Sequence, residues 1–332
     1  MQFLRRKFVL LLLVAFVYAA YFLTHLPKQT PQQILGVQSN LQLFTEPYDG
    51  KTPLIDTLTN ATKTIDVEVY LLSDADVVKS LVDACQRGVV VRVMLEQHPF
   101  GGGNINEKTM ESLSHSCVHA QWTNSIYALT HEKTVVIDAH EVWILNQNLT
   151  TSSFSKNREY DIFDTNMQDV SEVKTIFAAD WERKTPTISD PNLLVSPVNS
   201  REKLQGLLAS SSKTLDIETE VIDDPDTVNA LIAKAKTTTV RIIIPSFTQV
   251  TSNKKTAQKL IAAGIFVKTL SSPYIHAKLI LEDAKAYVGS VNLTTQSMDN
   301  NREIGILISQ QDIVTRLHDY FETDWEKAEQ VQ

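Results

Sequence analysis

The sequence predicts an α/β protein made of two copies of one domain, preceded by an N-terminal membrane segment. Blocks of sequence repeat along nearly the whole chain, strands alternate with helices in each half, and the first residues are basic and then apolar. A chain of 332 residues is long enough for two such domains, each with its own core. The predicted boundaries are a signal anchor or signal peptide at 1–27, a linker at 28–43, domain 1 at 44–184, a linker at 185–197 and domain 2 at 198–328.

The N-terminal segment has a basic cluster at residues 5–7, followed by an uncharged apolar run from Phe8 to Leu23. The run is slightly long for a signal-peptide core and slightly short for an average membrane span, so both interpretations remain open. Aromatic residues near its end favour an uncleaved anchor. Because basic residues stay in the cytoplasm, we expect the folded body outside the cytoplasm, membrane-anchored, or secreted if the segment is cleaved.

The internal repeat consists of four blocks that return in the same order at nearly constant spacing, as expected for a duplicated domain. The paired blocks are KTIDVEVY (63–70) with KTLDIETE (213–220), HEKTVVID (131–138) with HAKLILED (276–283), NLTTSSFSKNRE (148–159) with NLTTQSMDNNRE (292–303), and FAADWE (177–182) with FETDWE (321–326).

Each copy has the same order of predicted elements. A β-branched strand at 64–71 or 214–221 comes first, and in the first copy a helix follows that ends at Gly88. A second strand, 89–96 or 239–245, is continuously apolar, as a strand covered on both faces would be. Another helix, a short strand, the His/Lys/Asp block and a closing helix complete each α/β sandwich.

Charge and cysteine content narrow the class of protein. The formal net charge of −8 argues against a nucleic-acid partner, although a local basic cleft stays open. Cys85 and Cys117 have no metal-binding spacing. They could pair in an extracytoplasmic protein, but two unpaired buried thiols are the favoured interpretation.

The repeated His-x-Lys pairs are the candidate chemical centre. If each pair lies in a strand, the histidine and lysine share one face, because alternate residues of a strand point the same way. His131 with Lys133, and His276 with Lys278, stand in equivalent places of the two copies. One such pair alone would mean little, but two equivalent pairs indicate a shared site.

These motifs resemble the phospholipase D superfamily, whose signature is H-x-K-x4-D followed by G-S-x-N. The first block is complete with His131, Lys133 and Asp138, and the second with His276, Lys278 and Asp283. GSVN at 289–292 completes the second copy, whereas the first has LNQN at 145–148, keeping only the final asparagine. The resemblance implies a mixed β-sheet flanked by helices in each copy, a pseudo-twofold relation between copies, and one active site built by a single chain, so no oligomer is required.

The resemblance also implies roles for these residues. One neutral histidine would attack phosphorus to form a phosphohistidine while the other protonates the leaving alkoxide. The first motif attacks in many family members, which favours His131 as nucleophile and His276 as acid, but LNQN leaves the order open. Residues expected to hold the phosphate oxygens are Lys133, Lys278, Asn148, Asn292 and Ser290.

Carboxylates complete the expected site. Glu159 and Glu303 each close an NRE block and are the candidates to bond the histidines, as the family pattern implies. The resemblance makes Asp138 and Asp283 structural. No cofactor or metal is expected, because a lysine beside each histidine opposes a cation.

The predicted function is hydrolysis of the head-group phosphodiester of a glycerophospholipid by a membrane-associated phospholipase D-like enzyme. The expected partners are the phospholipid substrate and, through the N-terminal segment, the membrane. Phosphatidyl transfer of the cardiolipin-synthase type is one alternative and an extracytoplasmic nuclease is another. A non-enzymatic binding module is the third, supported only by LNQN.

Overall fold

The computed structural model describes residues 41–101, 103–211 and 213–331. The predicted signal anchor or signal peptide lies outside these residues. Across the described ranges, no helix has the length and apolar character needed to cross a membrane. All of the described residues belong to one compact unit.

Strands and helices alternate along the first half of the described chain. In chain order they are β1 Gln42–Glu46, α1 Thr52–Asn60, β2 Thr64–Val69, α2 Ala75–Gln86, β3 Val90–Leu95, α3 Ile105–Ser114, β4 His119–Trp122, β5 Lys133–Ile137, β6 Glu141–Ile144, α4 Thr151–Lys156, β7 Asn157–Asp164 and α5 Met167–Trp181.

The second half repeats this order and adds two short strands, β12 and β16. Its elements are β8 Leu193–Ser196, α6 Ser200–Ser210, β9 Thr214–Thr219, α7 Pro225–Lys234, β10 Thr239–Pro245, α8 Asn253–Ala262, β11 Phe266–Leu270, β12 Tyr274–Ile275, β13 Lys278–Leu281, β14 Ala286–Gly289, α9 Thr295–Asp299, β15 Glu303–Ile308, α10 Gln311–Lys327 and β16 Glu329–Gln330. The predicted duplication of an α/β domain is confirmed.

The two halves form sheets of matching strand order. The first runs β1-β7-β6-β5-β2-β3-β4, with β12 of the second half added beside β7. The second runs β16-β11-β10-β9-β13-β14-β15-β8. In the first sheet β2, β3 and β4 pair in parallel and the other strands of its own half antiparallel, and the corresponding strands of the second sheet do the same. The mixed sheets expected from the sequence are therefore present.

Helix ends follow local sequence signals. The Asp74 carboxylate caps α2 by accepting backbone N–H groups of its first turn, and Asp224 caps α7 in the equivalent way. Gly88, the predicted stop, has φ +95° and lies just beyond α2. That left-handed conformation favours glycine, so the helix ends there as expected.

The hydrophobic core has three parts. Each sheet has an outer core of its own, covered by α1–α3 in the first half and by α6–α8 in the second. A third core lies between the sheets, where Ile162 and Ile306 meet Val173 of α5 and Leu317 of α10. Because residues of both copies bury one another there, the two halves are joined through apolar packing.

The predicted linker differs from the structure. Strand β8 falls within 185–197 and pairs with β15, forming an edge of the second sheet. Similarly, β1 begins inside the predicted linker 28–43. Strands this short, beside prolines or a polar entry, lack the periodicity that identifies a strand from sequence.

The favoured interpretation of two unpaired thiols is wrong. Cys85, at the end of α2, and Cys117, before β4, form a disulfide with their Cα atoms 5.9 Å apart. That separation lies within the usual range for the bond. Their separation of 32 residues along the chain does not indicate that the C-terminal ends of α2 and α3 lie side by side.

Candidate active site

The His-x-Lys segments do not lie in single strands as predicted. β5 begins at Lys133 and β13 at Lys278, so each histidine precedes the strand that holds its lysine. The segment before His276, strand β12, pairs with β7 of the opposite copy, and Thr130 bridges to Arg302, the residue before β15. The chain changes partner strand between histidine and lysine, which places each histidine at the junction of the two copies.

Each histidine is bonded to a glutamate of the other copy. His131 Nδ1 donates to Glu303 Oε2 at 2.8 Å, and His276 Nδ1 donates to Glu159 Oε2 at 2.7 Å. All four side chains are nearly or fully buried. Both glutamates were expected from the sequence to bond the histidines, and the structure shows that each bonds the histidine of the other copy. With Nδ1 engaged, Nε2 is the atom each imidazole has for chemistry.

The two lysines are held in the same way in both copies. Lys133 Nζ donates to the backbone carbonyl of His131 and Lys278 Nζ to that of His276, each at 2.6 Å. Burial lowers the pKa of Lys133 to about 7, and the nearby Lys278 ammonium adds to that effect. The lysines of the two motifs therefore interact across the copy boundary, as one anion-binding site requires.

The asparagines that end the two motifs are also placed alike. Neither Asn148 Oδ1 nor Asn292 Oδ1 has a hydrogen-bond partner among the described residues, although both oxygens are buried. Buried amide oxygens normally have partners. The fold therefore leaves the side-chain oxygens of both asparagines without a hydrogen-bond partner among the described residues.

One position breaks the equivalence of the two halves. Tyr70 follows β2 and Glu220 follows β9, at the same place in the aligned repeats. The Tyr70 ring meets the His131 ring edge-on with centroids 4.7 Å apart. Glu220 Oε2 instead accepts from Lys278 Nζ at 3.0 Å and lies 3.5 Å from His276 Nε2. Sequence reasoning assigned no role to Tyr70 or Glu220. Their mismatch inside a repeated block is a signal that could have identified them as site residues.

The electrostatics differ accordingly. Burial lowers the pKa of His131 to about 4, with the ammonium of Lys133 adding to the effect, so His131 is neutral at pH 7. Burial raises the pKa of Tyr70 to about 12, so the phenol beside His131 is uncharged at pH 7. Burial would also raise the pKa of Glu220, but the positive charges of Lys278 and His276 outweigh it and hold that pKa well below the ordinary value.

The first residue of GSVN is a glycine for a steric reason. A Cβ on Gly289 would lie 2.3 Å from the Gly305 Cα atom, so only glycine fits there. The Ser290 hydroxyl is fully buried, donates to the Ile304 carbonyl and accepts from its N–H. In the first copy Asn146 uses its amide to donate to the Gly289 carbonyl at 2.7 Å. These contacts favour a positioning role for Ser290, whose predicted contact with substrate stays a prediction.

The two motif aspartates lie away from the histidines. Asp138 accepts hydrogen bonds from Thr62, Lys63 and Thr64, which tie the entry of β2 to the end of β5. These bonds lower its pKa to about 2, although partial burial opposes the shift. Asp283 accepts from the backbone of the equivalent turn before β9. Their contacts support the structural role expected for them.

Two buried ion pairs that the sequence reasoning missed also join the copies. Arg158 donates to Asp324, and Arg302 pairs with Asp180 at 2.8 Å. All four side chains are fully buried. Each arginine directly precedes a glutamate that bonds a histidine. The ion pairs therefore help to fix the positions of Glu159 and Glu303 at the starts of β7 and β15. The Arg of NRE and the Asp before Trp recur in both copies of the sequence. Nothing in the sequence indicates that the Arg of one copy pairs with the Asp of the other.

Two curated relatives resemble the chain at low identity. A cardiolipin synthase of Staphylococcus aureus is 20% identical over 337 residues, covering 87% of this chain and 68% of that protein. Phospholipase D Z of Dictyostelium discoideum is 22% identical over 373 residues, covering 88% and 86%. Both similarities extend across most of this chain.

A solved polyphosphate kinase of Porphyromonas gingivalis has a similar structure, with a TM-score of 0.71 and 14% identity over 94% of this chain. This chain spans about half, 51%, of that kinase, and at such identity the likeness concerns the fold alone. The family model described as "Cardiolipin synthase, PLD-like domain" matches residues 54–181 and 204–325, most of both halves. On that match the chain belongs to the phospholipase D-like domain family.

Proposed function

We propose that the protein is a phospholipase D-like phosphodiesterase that cleaves the head-group phosphodiester of glycerophospholipids. The observation that carries this proposal is the crosswise holding of His131 and His276 by Glu303 and Glu159. It fixes two imidazoles at one boundary and leaves Nε2 of each for chemistry. A phosphodiester needs both a nucleophile and an acid, which two such imidazoles can supply.

In the first step, neutral His131 attacks phosphorus through Nε2. A P–N bond forms while the P–O bond to the head group breaks, and the proton on His276 Nε2 passes to the departing oxygen. Lys133 and Lys278 bind the non-bridging oxygens and stabilise the charge that develops on them. The products are a phosphatidylhistidine and the free head-group alcohol.

In the second step, water attacks the phosphatidylhistidine. His276, now neutral, accepts the proton of the water, and the P–N bond breaks to release phosphatidic acid and neutral His131. An alcohol in place of water would give phosphatidyl transfer. Hydrolysis and transfer thus share every protein group and differ only in the acceptor.

Several features support a lipid substrate and a site outside the cytoplasm. The Tyr70 hydroxyl, next to His131, donates to the carbonyl of Phe100, whose side chain is 92% exposed. An exposed aromatic residue beside the site suits an enzyme that works on a bilayer surface. The Cys85–Cys117 disulfide suits an oxidising compartment. The predicted N-terminal anchor would hold the enzyme at the membrane, and a cleaved segment would release it as a secreted protein.

Phosphatidyl transfer is the second candidate, favoured by the family description and by the cardiolipin synthase relative. Two phosphatidylglycerol molecules would give cardiolipin and glycerol, the second acting as the acceptor alcohol. Both reactions use the residues around His131 and His276 alike and differ in the acceptor.

The test uses the full chain in detergent with vesicles of phosphatidylglycerol and phosphatidylethanolamine, and separately with double- and single-stranded DNA. Phosphatidic acid identifies hydrolysis and cardiolipin identifies transfer. His131→Ala and His276→Ala should each abolish product, whereas His140→Ala, an exposed turn residue, should not. DNA cleavage without lipid turnover would overturn the proposal in favour of a nuclease.

A further inference from the structure

Glu220 is the one carboxylate that contacts the chemical face of either motif histidine among the described residues. Glu159 and Glu303 both bind Nδ1, the anchored side of their histidines. The Glu220 carboxylate lies by Nε2 of His276, the atom that exchanges protons in the proposed reaction. Its contact is therefore with the reacting side of the His276 ring and not with the anchored side.

The position of Glu220 is fixed from two sides. Tyr274 donates to Oε1 at 2.8 Å and Lys278 Nζ donates to Oε2 at 3.0 Å. In the first copy the place of Tyr274 is taken by Leu129, and that of Glu220 by Tyr70. The carboxylate and its hydroxyl donor thus occur together in one copy and are absent together from the other. A coordinated difference of this kind sets the two histidines apart.

The charges around the two histidines follow from this difference. His276 faces Glu159 from β7, Glu220 at the end of β9, Tyr274 in β12 and Lys278 in β13. Its surroundings therefore hold two carboxylates and one ammonium. His131 faces one carboxylate, a neutral tyrosine ring and the ammonium of its own motif. It also interacts electrostatically with the ammonium of Lys278.

We propose that Glu220 is a positioning residue: its carboxylate holds Nε2 of His276 toward the departing oxygen and stabilises the proton that Nε2 passes on. This inference rests on the proposed phosphodiesterase function. In the first step the proton moves from Nε2 to the departing oxygen, and Glu220 does not itself form or break a covalent bond. In the second step the same carboxylate makes His276 a stronger base toward water.

The experiment compares leaving groups with the full chain and the Glu220→Gln variant. Bis(p-nitrophenyl) phosphate and phosphatidyl-p-nitrophenol release an anion that needs no proton, whereas phosphatidylglycerol releases an alkoxide that does. We expect Glu220→Gln to slow the single-turnover step about tenfold on phosphatidylglycerol, and to change the burst on the p-nitrophenyl probes less than about twofold. The basic limb of the pH–rate profile on phosphatidylglycerol should move to lower pH, because the carboxylate beside Nε2 is removed.

Further variants separate a chemical effect from a structural one. Tyr274→Phe removes one anchor of Glu220 and should give a smaller effect with the same dependence on leaving group, and Glu220→Asp should restore part of the rate. Glu282→Gln makes the same chemical change at a nearly buried glutamate of the same copy and should show no such dependence.

The outcomes are distinguishable. If the unmodified protein cleaves none of these phosphodiesters, the proposed function fails. If it is active and Glu220→Gln slows both classes of leaving group equally with an unmoved pH profile, the inference about Glu220 fails. If Glu220→Gln does not fold, Tyr274→Phe decides by the same criterion.

Discussion

The two halves of the active site share one scaffold and differ in charge. In both, a histidine stands before a strand, a lysine begins it, and a glutamate of the opposite copy holds the ring. The first half sets a tyrosine against the histidine and the second sets a carboxylate there. Duplication supplied two equal imidazoles, and single residues near them made the two unequal.

This difference shows how a symmetric fold can support an asymmetric reaction. Attack needs a neutral imidazole and protonation needs an imidazolium, so identical surroundings would serve one of the two steps poorly. Tyr70 leaves His131 without a compensating anion at Nε2, and Glu220 supplies one to His276. The same residues therefore indicate where the equivalence of the halves can be broken experimentally.

Removal of each histidine should give the largest effects and should not be equivalent. We expect His131→Ala to lower kcat about 10⁴-fold or more with every leaving group, because no other group can attack. His276→Ala should lower kcat about 10²- to 10⁴-fold on phosphatidylglycerol, yet retain a burst on p-nitrophenyl probes. Stopped-flow release of p-nitrophenolate measures this. The reverse pattern would make His276 the nucleophile.

Replacement of the glutamates should act across the copies. We expect Glu303→Gln to resemble the His131 variant and Glu159→Gln the His276 variant, each losing about 10²- to 10³-fold, because the amide no longer fixes the ring of its partner. Burst and steady-state rates on both leaving groups identify the partner. If each glutamate instead resembled the histidine of its own repeat, the crosswise arrangement would not be the functional one.

Lys133 should make anion binding depend on pH near neutrality. Its pKa of about 7 means that the protonated, anion-binding form is lost as the pH rises through that value. Sulfate does not titrate in this range, so its affinity should fall about 5- to 10-fold between pH 6 and pH 8. Calorimetry with sulfate checks this. Lys133→Arg keeps its charge and should abolish the dependence; a dependence that persists there would point to another group.

The smallest expected effect concerns Glu132, where the second copy has Ala277. Burial raises the pKa of Glu132 to about 7. Because the folded-state pKa lies above the unfolded one, its contribution to stability is present below about pH 4.5 and is lost as the pH rises through about 7. Glu132→Gln should therefore gain about 1–2 kcal/mol at pH 8 relative to pH 5.

Thermal unfolding at the two pH values measures the effect of Glu132→Gln. Glu107→Gln, at an exposed helix position, should show no such change and serves as the control. An equal shift in both variants would mean that the pH dependence belongs to the surface and not to the buried carboxylate.

Much of this protein is determined by local sequence. The repeat defines two copies, and the alternation of apolar strands with capped helices specifies α/β halves, since such patterns act over a few residues. The His, Lys, Asn and Glu residues of the site recur at fixed places in both copies, so the sequence was enough to identify them as candidate site residues. Gly88 could likewise be assigned to the end of a helix, because its signal is local.

The tertiary structure alone decided which partners these residues have. Glu303 serves His131, Arg158 pairs with Asp324, and Cys85 bonds Cys117, because β-strands of opposite copies and turns far apart in the chain meet in space. The contact of Glu220 with His276 was decided in the same way, because the residue after β9 and the histidine before β13 meet only in the folded chain. Sequence records which side chains a copy has, but pairing across a junction depends on packing, which no local pattern encodes.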